Sequence, residues 1–185
     1  FKQKTAYEIM PSLVGSEMCI RDSRWAALAG LGAALVAAAT YVVQVPVPAT
    51  RGYINLGDTL VIAWALAMGP SIGGFAGGVG SALADLIGGY PHWAPLTLVI
   101  KGVEGTMAGV AGKRGGWIEL LGAAAAVGEM VLGYFLVETI LYGLGAALAE
   151  LPGNLLQAAS GLVVGIPLAR ALRRVLSTIP QATSA

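Results

Sequence analysis

The chain has 185 residues, 56% of them hydrophobic and only 11% charged, with a formal net charge of +1. Soluble domains carry about 25% charged residues, so this chain could not cover a water-facing surface, and most of its exterior must face lipid. The near-neutral balance offers no basic face for nucleic acid. A single cysteine, Cys19, and a single histidine, His92, exclude a disulfide framework and Cys- or His-based metal centres. Neither metal nor cofactor is expected.

In chain order, residues 1–23 stand apart from the rest: they are polar, aperiodic and carry Cys19. The stretch 10–23 resembles translated sequencing-adapter read-through of the kind that contaminates metagenomic genes; a natural amphipathic arm is the alternative. The segment is therefore expected to be non-native or disordered, with the membrane domain at 24–176 and a cytoplasmic tail at 177–185. No function rests on Glu17, Cys19 or Asp22.

A transmembrane helix needs about 20 mostly apolar residues. The pattern predicts six spans, at 25–43, 56–69, 71–88, 96–112, 117–142 and 151–172. The second is short and must tilt, sit in a thinned bilayer or extend into its flanking loop. Gly69-Pro70, Gly88-Gly-Tyr-Pro91, Gly112-Lys-Arg-Gly-Gly116 and Leu151-Pro-Gly153 supply the breaks between them. Arg24, Lys113, Arg114, Arg170, Arg173 and Arg174 then fall on one side and only Arg51 on the other, so both termini are expected in the cytoplasm. Five spans would strand the Arg170 cluster on the wrong side. The outward loops become 44–55, 89–95 and 143–150, and the Pro-rich first of these is long enough to fold over the outer mouth.

Small residues recur at four-residue spacing, at Ala29, Ala33 and Ala37 on the first helix, at Gly73/Gly77 and Gly74/Gly78 on the third, and at Gly105/Gly109 on the fourth. Such faces let helices approach closely. On the third and fourth helices internal packing accounts for them. The first helix could equally present its face to a second protein.

Ionisable residues inside apolar spans mark candidate sites. Here they are Asp58, Asp85, Lys101, Glu104, Glu129 and Glu138, joined by Asn154 and Gln157. Most fall in the outer half, which predicts an outward-facing polar cavity. Lys101 and Glu104 share a helix face. Lys101 could pair with Asp58 or Asp85 simply to fasten helices together, while Glu104 and Glu129 could be satisfied by neighbouring helices. Asn154 and Gln157 offer amides of the type that reads a heterocycle's edge. Tyr53, Tyr90 and Trp93 could stack on a flat ligand or belong to the interfacial aromatic belt. No nucleophile elbow, zinc-protease motif or phosphate loop is present.

These residues resemble a known family. Arg51-Gly-Tyr-Ile-Asn-Leu-Gly-Asp58, Gly78-x-Gly-Ser-Ala-Leu-Ala-Asp85-x-x-Gly-Gly-Tyr90-Pro91, Ile100-Lys101-Gly102 with Glu104-Gly105, Asn154-x-x-Gln157 and Gly165-Ile-Pro167-Leu are similar to the substrate-binding S components of energy-coupling-factor (ECF) transporters, most closely the riboflavin-type subgroup. The resemblance covers about residues 25–176. It implies an all-α, six-helix membrane protein of a prokaryotic plasma membrane that binds a vitamin from outside. It also implies a transmembrane coupling protein and two cytoplasmic ATPases as partners, with Ala29, Ala33 and Ala37 as the contact with the coupling protein. The substrate site would draw on Tyr53, Asn55, Asp58, Tyr90, Trp93, Lys101, Glu104, Glu138, Asn154 and Gln157. Two other classes stay open on the residues alone: a small membrane enzyme using Asp85 and Glu104 for acid–base work, and a ligand-free structural subunit.

Overall fold

The computed structural model describes the backbone of residues 6–178 and side chains from residue 22 onward; the end of the expected tail, 179–185, lies outside it, as do residues 1–5. The chain is mostly helical. In order come α1 (Ala6–Val42), β1 (Val45–Val47), β2 (Gly52–Ile54), α2 (Gly57–Met68), α3 (Pro70–Gly88), α4 (Ala94–Gly112), α5 (Gly116–Tyr142), α6 (Leu144–Ser160), a π-helical turn (Gly161–Gly165) and α7 (Ile166–Thr178). The helix α1 begins well before residue 24.

Among the described residues, three helical stretches are long and apolar enough to cross a membrane: Asp22–Val42, Gly116–Tyr142 and Leu144–Thr178, the last made of α6, the π turn and α7 in one run. The shorter elements have a physical reason for falling outside that set. The 12 residues of α2 reach only about 18 Å at 1.5 Å per residue. Asp85 interrupts α3, and Lys101 and Glu104 interrupt α4. Buried side chains occupy every face of α2, which sits at the centre of the bundle. Large apolar side chains such as Ile87, Val99, Leu121, Ile140 and Val163 cover the exterior instead. An apolar exterior with buried ionisable groups is the inverse of a water-soluble fold.

Glycines decide how close the helices come. A Cβ at Gly77 would stand 2.7 Å from the Lys101 carbonyl and one at Gly78 2.7 Å from the Leu98 carbonyl, so α3 lies backbone to backbone against α4. The small-residue faces read on these two helices are internal packing, as expected.

The first helix departs from expectation. Ala29 is 1% and Ala33 5% exposed, and Ala37 is half-buried. Ala29 packs with Trp64, Ile72 and Ala76, and a Cβ at Gly80 would meet the Ala33 carbonyl at 2.6 Å. That face packs against α2 and α3 at Ala29 and Ala33, leaving only Ala37 partly open. A parallel register, Ala26, Gly30, Ala34 and Ala38, is exposed.

The sixth helix also begins earlier than read. Gly143, at φ 89°, breaks the chain after α5, and α6 starts at Leu144. The expected loop 143–150 is therefore mostly helix, and Pro152 lies inside α6 rather than in a turn. One consequence is that Glu150 comes to face the bundle interior.

Candidate functional site

The connection after α1 folds into a β-hairpin. Val45 pairs with Ile54, Pro46 with Tyr53 and Val47 with Gly52. The turn closes through Arg51, which adopts a left-handed φ of 51°. Three polar contacts fasten this hairpin across one end of the bundle. The Thr50 hydroxyl donates to Glu150 of α6. The Tyr53 hydroxyl donates to Asp85 Oδ1 of α3 at 2.6 Å. The Asn55 amide donates to Gln157 Oε1 of α6 at 3.2 Å. Burial and the neighbouring Asp85 carboxylate push the Tyr53 phenol well above its ordinary range, so it stays protonated and donates.

Beneath the hairpin lies a cavity of about 30 Å³ lined mainly by polar side chains, enough for little more than water. Its walls come from every side: Thr40 of α1, Tyr53 and Asn55 of the hairpin, Ser81 and Asp85 of α3, and Thr97 and Lys101 of α4. Tyr134 and Glu138 of α5 and Glu150, Asn154 and Gln157 of α6 complete them, with Trp93 from the α3–α4 connection. Trp93 is flanked by Tyr134 at 5.9 Å and Tyr142 at 6.0 Å between ring centroids. Tyr53 is backed by Tyr90 at 4.8 Å.

Two buried networks shape the walls. Lys101 Nζ is paired with Asp58 and, at 3.0 Å, with Glu104, all three being buried, and it lies 5.6 Å from the centre of the Tyr134 ring. The pairing left open between Asp58 and Asp85 thus goes to Asp58, while Asp85 takes Tyr53. The second network is an amide relay. Asn154 Nδ2 donates to Glu138 Oε1 at 3.4 Å, and Gln157 Nε2 donates to Asn154 Oδ1 at 3.0 Å. Gln157 then accepts the Asn55 backbone N–H, and Asn55 Oδ1 accepts Gly57 N–H at 2.8 Å, seating the start of α2.

Of the residues singled out beforehand, Tyr53, Asn55, Asp85, Trp93, Lys101, Glu138, Asn154 and Gln157 border the cavity. Asp58 and Glu104 stand behind Lys101, and Tyr90 behind Tyr53. Glu129 is half-buried, with Oε2 unpartnered among the described residues. Sequence reasoning missed Thr40, Ser81, Thr97, Tyr134 and Glu150. Tyr134 and Thr97, bonded at 3.1 Å, carry no signal beyond being polar in apolar helices. Glu150 was hidden because its segment was read as a loop.

The opposite end holds a charged cluster. Arg173 Nη1 donates to Glu119 Oε2 at 2.7 Å and Arg173 Nη2 to the Leu66 carbonyl at 3.0 Å. Arg170 approaches Glu119 at 3.5 Å. This ties α7 to α5 and to the end of α2.

An apolar helical bundle with buried ionisable groups, and a cavity walled by polar and aromatic side chains at one end, defines an integral membrane protein. The sequence matches the family profile "ECF-type riboflavin transporter, S component" over residues 23–174, and the chain belongs to that family. It is a component of membrane transport rather than an enzyme. It is 47% identical over 147 residues to a Pyrococcus woesei protein described as "Uncharacterized protein in gap 3'region", covering 78% of this chain and 98% of the relative. It is 32% identical over 128 residues to the thiamine precursor transporter HmpT of Lactococcus lactis subsp. cremoris (strain MG1363), covering 69% and 72%.

Proposed function

We propose that the protein captures a vitamin or vitamin precursor outside a prokaryotic cell and delivers it to the cytoplasm as the S component of an ECF-type ABC importer. The observation that carries this reading is the cavity beneath the hairpin, where polar side chains converge from the hairpin and five helices and aromatic rings come from Tyr53, Trp93 and Tyr134. The relative named as a thiamine precursor transporter points to the same kind of solute. At about 30 Å³ the cavity is contracted, so a vitamin-sized ligand requires the hairpin to swing out. The Thr50, Tyr53 and Asn55 contacts are the ones that must open and re-form.

On this reading α1, α2, α3, α4, α5 and the α6–α7 run each cross the bilayer, with the hairpin end outside and both termini inside. Support comes from charge: Lys113, Arg114, Arg170, Arg173 and Arg174 gather at the end away from the hairpin, as the positive-inside rule requires. Energy comes from partners, a transmembrane coupling protein and two cytoplasmic ATPases. The coupling protein contacts α1 through Ala26, Gly30, Ala34 and Ala38, the small residues left exposed. The family match begins at residue 23, which supports reading residues 1–23 as lying outside the transport domain.

Titration calorimetry of the purified protein in lipid nanodiscs against the B vitamins and their precursors tests the capture reading. One compound is expected to bind at about 1:1 with a Kd well below 1 µM. A complete set without a binder contradicts it.

A further inference from the structure

The walls of the cavity are unbalanced in charge. Asp85, Glu138 and Glu150 border it, and Lys101 is the one cation among the described lining residues. That ammonium is already held by Asp58 and Glu104. It has no surplus charge for an incoming anion, and the three acidic side chains on the walls supply none.

Hydrogen-bonding capacity is unbalanced as well. Asp85 Oδ2 and Glu138 Oε2 are buried carboxyl oxygens without a partner among the described residues, and Trp93 Nε1 is a buried donor likewise without one. The three residues are 3%, 1% and 4% exposed respectively. Unmet polar groups this deeply buried are costly, and a ligand that satisfies them gains affinity and selectivity together.

From these facts we infer that the occupant of this cavity is an amine-bearing heteroaromatic compound, uncharged or cationic, without phosphate or carboxylate. Its N–H groups donate to Asp85 Oδ2 and Glu138 Oε2. A ring nitrogen or hydroxyl accepts from Trp93 Nε1, and its face lies along the Trp93 and Tyr134 rings. The inference rests on the capture reading above and narrows it.

The test is a ranked binding panel on the full chain in nanodiscs. Its amine members are 4-amino-5-hydroxymethyl-2-methylpyrimidine, thiamine and pyridoxamine. Riboflavin and pyridoxine lack an exocyclic ring amine or aminomethyl group. Biotin, pantothenate and the phosphate ester of the pyrimidine are anions. The tightest binder is expected among the amines, with its phosphate ester or an anion at least about tenfold weaker. Glu138→Gln and Asp85→Asn, which keep shape and the Asn154 and Tyr53 contacts, are each expected to weaken the amine by about tenfold or more. Preference for riboflavin, pyridoxine or any anion overturns this inference and leaves the capture reading standing, as does unchanged amine affinity in both folded variants. Failure of every compound to bind overturns both.

Discussion

Lys101 is the residue on which the buried charge of the bundle turns. It neutralises Asp58 and Glu104 together, and removing it leaves two carboxylates without a cation in an apolar interior. Lys101→Met is expected to lower stability by about 3–5 kcal/mol, read as a fall in the thermal unfolding midpoint of the ligand-free protein in detergent. A midpoint unchanged from the parent protein would show that the pairing is not needed. The sequence made the Lys101–Glu104 pair legible, because three-residue spacing on a helix puts both on one side. Its third member was not, since Asp58 and Asp85 sit on different helices and only their rotation decides which one meets the ammonium. The same reasoning explains Glu150 and Tyr134, whose roles depend on where α6 begins and which way α5 faces.

At the scale of elements, small residues at four-residue spacing were read correctly on α3 and α4, where Gly77 and Gly78 leave room for only backbone opposite. On α1 the same spacing occurs twice, in the 29/33/37 and 26/30/34/38 registers. Nothing in a run of Ala, Gly and Leu says which register faces inward. The choice is made by what packs there, namely Gly80 of α3 against the Ala33 carbonyl and Trp64 of α2 against the Leu28 carbonyl at 3.2 Å. Ala33→Leu is therefore expected to destabilise the protein by about 1–3 kcal/mol through overpacking. Ala34→Trp is expected to leave stability and ligand affinity unchanged while abolishing co-purification with the coupling protein. Retained co-purification of the Ala34 variant would move the partner contact elsewhere. Pro152 misled the reading of α6 because proline usually ends helices. The positive-φ Gly143 is the stronger break, and it places the helix start eight residues before Pro152.

For the whole molecule, hydropathy and composition announced a membrane protein, and the ionisable residues announced where its polar interior lies. That loop 44–55 could fold over the mouth was readable, but its pairing into a β-hairpin was not, because the strands are three residues each and one of them is Val-Pro-Val. The orientation proposed for the molecule has a direct consequence. In a Cys19→Ser background, Ala49→Cys in the hairpin turn is expected to react with a membrane-impermeant maleimide added to intact cells. Lys113→Cys is expected to react only after lysis. The reverse pattern would invert the protein and place its cavity on the cytoplasmic side.

The central claim is that a small molecule is held beneath the hairpin, and Trp93 is placed to report it. Of the chain's four tryptophans, it alone borders the cavity. Intrinsic fluorescence titrated with the vitamin and precursor panel is expected to change saturably at about one ligand per chain, and that change is expected to vanish in Trp93→Phe. A panel that leaves the fluorescence flat, or a saturable signal that survives in the Trp93 variant, would contradict the account.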